Sequence, residues 1–382
     1  MNGLSRHPRR SNFPFAGLWV AAAAIGSLWS AAPVAAAGAQ ITALQPALRS
    51  GDALHLRIED SWPNACTPEL SSVEVRGRDI WVLARDTSAR RVCGQVVSSY
   101  VIDTGSQLNV RSALVEPGVQ RIHYAIDSDD GLRLRGFELL SMGTSAAPAS
   151  APENGYWWAD PQDEERYAGP GIGLNLEHQG EALSLVLFGY DAEGRPDWSI
   201  ASGELGQNTA SLSLSRLSNG SGPRGVYQRP QGVESLGRVL VEYEGPAKAT
   251  FWLVYSEAEG IDLVLRPLPM VRFSFAQSTA ETWLGQWLLV LPGEVDSRPE
   301  THSFELSQLR PTTSGFALTD GKGKVELLCV AEDQTTDRLP DLCQLRIADQ
   351  AIELDFDRLG LARLDGTDTE GKRVRLLQIA AD

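Results

Sequence analysis

Apolar and polar residues alternate along this chain in short runs, and turn-forming residues separate the runs. In the first third, "LHLRIED" (54–60) alternates, and "SVEVRGRDIWVLARD" (72–86) reads as two strands about Gly77-Arg78. "GQVVSSYVID" (94–103), "QRIHYAID" (120–127) and "LRLRGFELLS" (132–141) follow, with "SDDG" (128–131) turning between the last two. Short strands, regular turns and no helical period predict a β-sandwich of immunoglobulin-like type over residues 40–142. Cys66 and Cys93 lack the Cys…Trp…Cys spacing of that fold, so the likeness is architectural.

After residue 155 the pattern restarts. Strands are predicted at 171–177, 182–190, 197–204, 210–217, 237–244, 249–255 and 261–267, joined by "HQGE", "DAEG", "GELGQN", "NGSGPRG" and "AEG". Sequential strands with short connections make an antiparallel meander, and a meander loses its edges by closing into a barrel. Residues 155–275 are therefore predicted to form one meander barrel or barrel-like unit. A third restart, "WLGQWLLVL" (283–291), leads strands at 302–309, 314–319, 324–331, 342–348, 351–357 and 373–379, a second such unit over 276–382. "STAE" (278–281) reads either as a capping box or as a polar connection. The expected fold class is all-β.

Two segments break the alternation. "GTSAAPASAPEN" (143–154) is Ala/Pro/Ser-rich and aperiodic, the composition of a semi-extended linker. Residues 1–39 carry Arg6, Arg9 and Arg10, then the apolar "FAGLWVAAAAIGSLW" (15–29), then small residues that offer cleavage after Ala37 or Ala39. That is the layout of a secretory signal, and it is too short and alanine-rich for a good span. No later stretch approaches span length, so the expectation is an exported chain, periplasmic or extracellular, that is not an integral membrane protein after cleavage.

Export changes the meaning of the four cysteines, Cys66, Cys93, Cys329 and Cys343. In an oxidising compartment they read as disulfides. Three pairings are open, and the local one joins Cys66 to Cys93 and Cys329 to Cys343. Without its leader the chain has 31 basic against 49 acidic residues, a net charge of −18. Such a chain is a poor ligand for phosphate backbones, so nucleic acid is not an expected partner.

Gly155-x-Trp157 and Gly285-x-Trp287 open the two C-terminal units alike. Calycin barrels are similar in opening with Gly-x-Trp, and that resemblance implies tryptophans that plug barrel floors. A longer pattern, Gly155, Trp157, Trp158, Pro161, Gly171, Gly173, Tyr190, Asp191, Gly194, Pro196 and Trp198, resembles a module of unassigned function that recurs in exported proteobacterial proteins. Residues 236–268 fit its second half loosely, and "DEERYA" (163–168) is an insertion relative to it. The resemblance implies an exported all-β domain and brings no catalytic residues.

Chemistry is sparse. GxSxG is absent, the histidines of the mature chain, His55, His123, His178 and His302, are dispersed, and no HExxH or CxxC occurs. "DSDDG" (127–131) and "DGTDTEG" (365–371) gather acids around glycine without completing an EF-hand, and hairpin turns use the same residues. "GPGIG" (169–173) lacks dinucleotide spacing and reads as a tight bend or a close backbone approach. No metal, cofactor or catalytic residue is assigned. The aromatics remain. In "GYWWAD", Tyr156 and Trp158 share one strand face and Trp157 takes the other. Tyr156 and Trp158 are the binding candidates if their face is open. The alternative is that the linker or the third unit covers it. Trp157, Trp287 and Trp198 are assigned to structure, Trp198 because it shares a face with Ile200.

These readings favour an exported, non-catalytic binding or envelope-associated protein whose ligand is a glycan, an envelope polymer or a protein. A β-barrel hydrolase of an extracytoplasmic polymer is the first alternative, and a structural partner-docking subunit the second.

Overall fold

The computed structural model describes residues 38–44, 54–88, 91–105, 118–142, 151–159, 171–191, 193–206, 208–222, 224–256, 262–275, 278–293, 298–331 and 339–379. The leader through residue 37, linker residues 143–150, Pro161 and the insertion 163–168 lie outside the described residues.

The first strands are β1 (Gln40–Ala43), β2 (Leu56–Trp62), β3 (Glu69–Arg76), β4 (Asp79–Arg85), β5 (Ser98–Asp103), β6 (Gly118–Ser128) and β7 (Gly131–Met142). They form two sheets, ordered β1-β2-β5 and β3-β4-β6-β7. Ile58, Trp62 and Ile102 from one meet Ile80, Val82, Ile122 and Tyr124 from the other in a shared core. The result is a two-sheet sandwich with one departure from the immunoglobulin pattern: β4 and β6 run parallel. The chain leaves β4 for the opposite sheet as β5 and returns beside β4, which brings it back in the same direction. A Cys66–Cys93 disulfide ties the β2–β3 connection to the segment before β5.

A bulge in β7 gives this sandwich a polar centre. Tyr124 and Ala125 pair with Gly136 and Leu134, which makes Arg135 the extra residue of the bulge and re-aims its side chain, while its carbonyl accepts from the Ala39 N–H at 2.7 Å. Arg135 Nη2 donates to both Asp60 oxygens at 2.7 and 2.8 Å, and Tyr100 donates to Asp60 Oδ2 at 3.1 Å. The Tyr100 and Tyr124 hydroxyls are 2.7 Å apart, and burial pushes both far above the ordinary phenol value, so they stay protonated.

The next eight strands are β8 (Gly155–Ala159), β9 (Gly173–Gln179), β10 (Ala182–Tyr190), β11 (Pro196–Leu205), β12 (Thr209–Ser218), β13 (Gly232–Tyr243), β14 (Lys248–Ser256) and β15 (Leu263–Arg272). Each pairs antiparallel with its successor, and β15 returns to β8, closing the barrel. Trp157, Leu174, Leu176, Leu185, Leu212, Phe251 and Leu268 fill it, as side chains fill small eight-stranded barrels.

A one-turn helix α1 (Thr279–Thr282) follows, its Glu281 N–H donating to Ser278 Oγ at 3.3 Å. Then come β16 (Gly285–Leu291), β17 (Glu300–Leu306), β18 (Gln308–Thr312), β19 (Gly315–Thr319), β20 (Val325–Val330), β21 (Leu342–Ile347), β22 (Ile352–Leu359), β23 (Arg363–Thr367) and β24 (Arg373–Ile379). β24 returns to β16. β17 pairs with β16 and β18 with β19, so the segment bent at Ser307 takes one strand's place in a nearly closed second barrel. The Cys329–Cys343 disulfide joins directly opposed residues of β20 and β21, both fully buried.

The two barrels repeat one closure. Trp157 and Trp287 are fully buried, and each indole N–H donates to the carbonyl four residues back, at 3.1 Å to Glu153 and 2.7 Å to Trp283. Opposite Trp157 in the last strand stands Arg272, and opposite Trp287 stands Gln378. Arg272 Nε donates to Asn154 O at 2.9 Å, and Gln378 Nε2 donates to Thr282 O at 2.6 Å and Leu284 O at 3.3 Å. In both barrels the last strand thus clasps the chain just before the tryptophan.

The modules share contacts. Val119, Phe137 and Leu139 of the sandwich bury against Leu240, Val254 and Leu263 of the first barrel. Residues 151–154, read as the end of a linker, are bound tightly: the Glu153 carboxylate accepts from the Leu361 and Ala362 N–H groups at 2.8 and 2.9 Å, joining the barrels. At the sandwich junction His123 is buried, stacks on Trp81 at 4.3 Å and hydrogen-bonds Asp79 Oδ1 at 2.8 Å. Among the described residues no helix is long and apolar enough to cross a membrane.

Two outcomes are expected. Asp60→Ala strands the Arg135 guanidinium and lowers unfolding free energy in a denaturant titration by about 3–5 kcal/mol, and adding Arg135→Met restores much of the loss. Burial, against the pull of Asp79, lowers the His123 pKa below its ordinary 6.5. The unfolded state then takes up the proton first, so stability falls as pH drops below 6.5 and levels once the folded-state value is passed. Melting temperature followed across this window will fall less in His123→Gln than in wild type.

Candidate binding face

Closure of the first barrel decides which side chains face solvent. With Trp157 inside, Trp158 must point out, and the register carries its row across four strands: Trp158 opposite Gly173, Gly173 opposite Phe188, Phe188 opposite Trp198. At about 4.8 Å per strand the row spans roughly 14 Å. Tyr156 lies parallel to Phe188 with ring centres 6.1 Å apart and meets Phe275 edge-on at 6.3 Å. Phe273 touches Trp158 at 6.5 Å and Phe275 at 5.0 Å.

Two glycines seat these rings. A Cβ on Gly173 would lie 2.7 Å from Trp158 Cε3, and one on Gly171 would lie 2.8 Å from Tyr190 Cε2. The bare backbone at Gly171 and Gly173 thus admits aromatic rings, where the sequence had suggested a bend or another backbone. The turn beyond β10 holds the neighbouring strand in place. Asp191 Oδ1 accepts from the Glu193 and Arg195 N–H groups at 3.0 and 2.8 Å, Gly194 takes φ +77°, and Pro196 begins β11. These contacts, led by the Arg195 N–H, hold the Asp191 carboxyl below the usual range.

The assignment of Trp198 to the core is overturned. It does share a face with Ile200, but that face is the outside of the barrel, and Trp198 is 47% exposed. Ser199 and Ala201 point inward, where Ala201 meets Leu185 and Leu214, and the closed interior has room for small residues there. Tyr156 is 39% exposed and Trp158 half-buried under Phe273. The face predicted for these two residues is therefore an outer surface, and its width was not legible: Phe188, Tyr190, Phe273 and Phe275 come from distant segments.

Beside Trp198 the β12–β13 connection rises to form a cleft of about 530 Å³. Trp198 and Tyr227 are its aromatic walls, Leu217 and Pro230 its apolar edges, and Ser218, Ser221 and Gln228 its polar groups. No described residue that lines it is charged. Rings with neutral donors and acceptors can stack on an apolar face and hydrogen-bond to its rim. Asp368 of "DGTDTEG" serves its hairpin: its Oδ1 accepts from the Glu370 and Lys372 N–H groups at 2.9 and 2.8 Å. Comparison with protein-family models and with curated proteins finds no match to this chain.

Gly173→Ala will push the Trp158 ring from its seat. The expected result is an altered near-ultraviolet dichroism and tryptophan emission with the strand signal unchanged.

Proposed function

We propose that this is an exported, non-catalytic glycan-binding protein, and that its ligand lies along the outer face of the first barrel and in the cleft at Trp198. The observation that carries this reading is the continuous surface of exposed rings running into an uncharged cleft with hydroxyl and amide groups. Sugar rings offer apolar faces edged by hydroxyls, and such a surface matches both parts. Exposed apolar patches of this extent mark interaction sites. Two disulfides suit an oxidising compartment, and the signal-like leader of the sequence supports export. The similarity of residues 155–268 to modules of exported proteins points the same way.

The test is a titration of the mature chain with neutral envelope polysaccharides and peptidoglycan fragments, followed by tryptophan fluorescence. Wild type is expected to saturate, and Trp198→Ala to weaken binding about ten-fold or more with an unchanged melting temperature, since Trp198 is not core. No saturable response to any glycan, or equal affinity in Trp198→Ala, defeats the reading. Retention of the chain by a purified envelope protein instead would move it to the partner-docking alternative.

A further inference from the structure

On the outside of the second barrel, four arginines converge over one strand. Arg358 of β22, Asp365 of β23 and Arg375 of β24 are cross-strand neighbours in a single row, and Thr367 and Arg373 are paired in the next. Arg363 opens β23. Asp365 is fully buried among these side chains: Arg375 Nε donates to its Oδ1 at 3.2 Å, and Arg363 Nε lies 3.3 Å from its Oδ2. Arg363 and Thr367 face outward from β23 on either side of Asp365, Arg373 and Arg375 from β24, and Arg358 and Asp355 from β22, so the guanidiniums crowd into a shallow trough around Asp365. It is open to solvent: Thr367 is exposed, and Arg375 and Arg358 are 31% and 24% exposed.

Carboxylates are present too: Asp365 and Glu153 act on the Arg363 guanidinium, Asp357 lies 3.7 Å from Arg358, and Asp355 stands opposite Thr367. Asp355 accepts from Gln344 Nε2 at 3.1 Å. Glu153 already accepts from Leu361 and Ala362. Nε and Nη1 of Arg373 and Nε of Arg358 are buried and find no acceptor among the described residues. Unmet donors on a charged group are costly. Burial, and after it the neighbouring Arg358, draw the Arg373 pKa down to about 10, the direction expected for a cation held among cations. On a strongly acidic chain this patch is no general solubility feature. Guanidinium forks match the oxygens of phosphate and sulfate groups.

We propose that this trough binds a tetrahedral oxyanion, a phosphate or sulfate group, held by Arg358, Arg373 and Arg375 above Thr367. The site lies on a different barrel from the aromatic face and stands independently of the glycan reading.

The experiment uses the mature chain at constant ionic strength. Inorganic phosphate and a hexose phosphate are titrated by calorimetry, and phosphatidylglycerol vesicles are compared with phosphatidylcholine vesicles by co-sedimentation. Saturable binding of either soluble probe that weakens about ten-fold or more in Arg373→Gln, and persists in the distant Arg310→Gln, supports the site. Binding confined to phosphatidylglycerol vesicles and lost in Arg373→Gln also supports it and assigns the anion to a lipid headgroup. Should Arg373→Gln fail to fold, Arg375→Lys keeps the charge but loses the fork, and the same loss is expected. Absence of binding to every probe, or equal binding by wild type and the trough variant, overturns the proposal.

Discussion

The structure depends on one requirement, that the last strand of each meander find the first. An unclosed meander leaves two rows of backbone donors and acceptors unpaired. In the first barrel the meeting is narrow: Met270, Val271 and Arg272 oppose Ala159, Trp158 and Trp157. A buried tryptophan and a clasping side chain from the final strand reinforce it, and the second barrel repeats the device with Trp287 and Gln378. A slip of one residue at this seam would reverse every side chain of β8, bringing Trp158 in and Trp157 out. The aromatic face exists because Trp157 occupies the floor.

With that parity set, the outer surface of the first barrel acquires its character from what the inside excludes. Large rings at Tyr156, Trp158, Phe188 and Trp198 stand outside, over glycine or beside one another, while leucines, alanines and Phe251 occupy the interior. The second barrel uses its outside differently, placing arginines on three adjoining strands. The outsides of the two barrels thus differ in chemistry, aromatic on the first and rich in arginine on the second.

Much of the architecture could be read along the chain. Alternation located most strands, turn residues located the hairpins, and cysteine spacing in an exported context suggested the two local disulfides, Cys66–Cys93 and Cys329–Cys343, that the structure holds. The opposite faces of Tyr156 and Trp158 against Trp157 followed from the period of a strand alone. The parallel pairing of β4 with β6 was not legible, because it depends on β5 crossing to another sheet. The tight role of Glu153 was hidden too, since its partners, Leu361 and Ala362, lie in another barrel. The arginine trough gathers residues from β22, β23 and β24 that look like ordinary surface charge when read singly.

Trp198 marks the boundary most clearly. The sequence by itself determined that Trp198 and Ile200 lie on one side of their strand, because backbone geometry sets that alternation locally. Which side is the inside was decided only by the tertiary structure. A closed ring of eight strands encloses a fixed volume, and the residues that fill it are chosen jointly by all the strands. With Trp157, Phe251 and the leucines in place, the inward positions beside Trp198 and Ile200 went to Ser199 and Ala201, and the tryptophan was left to solvent.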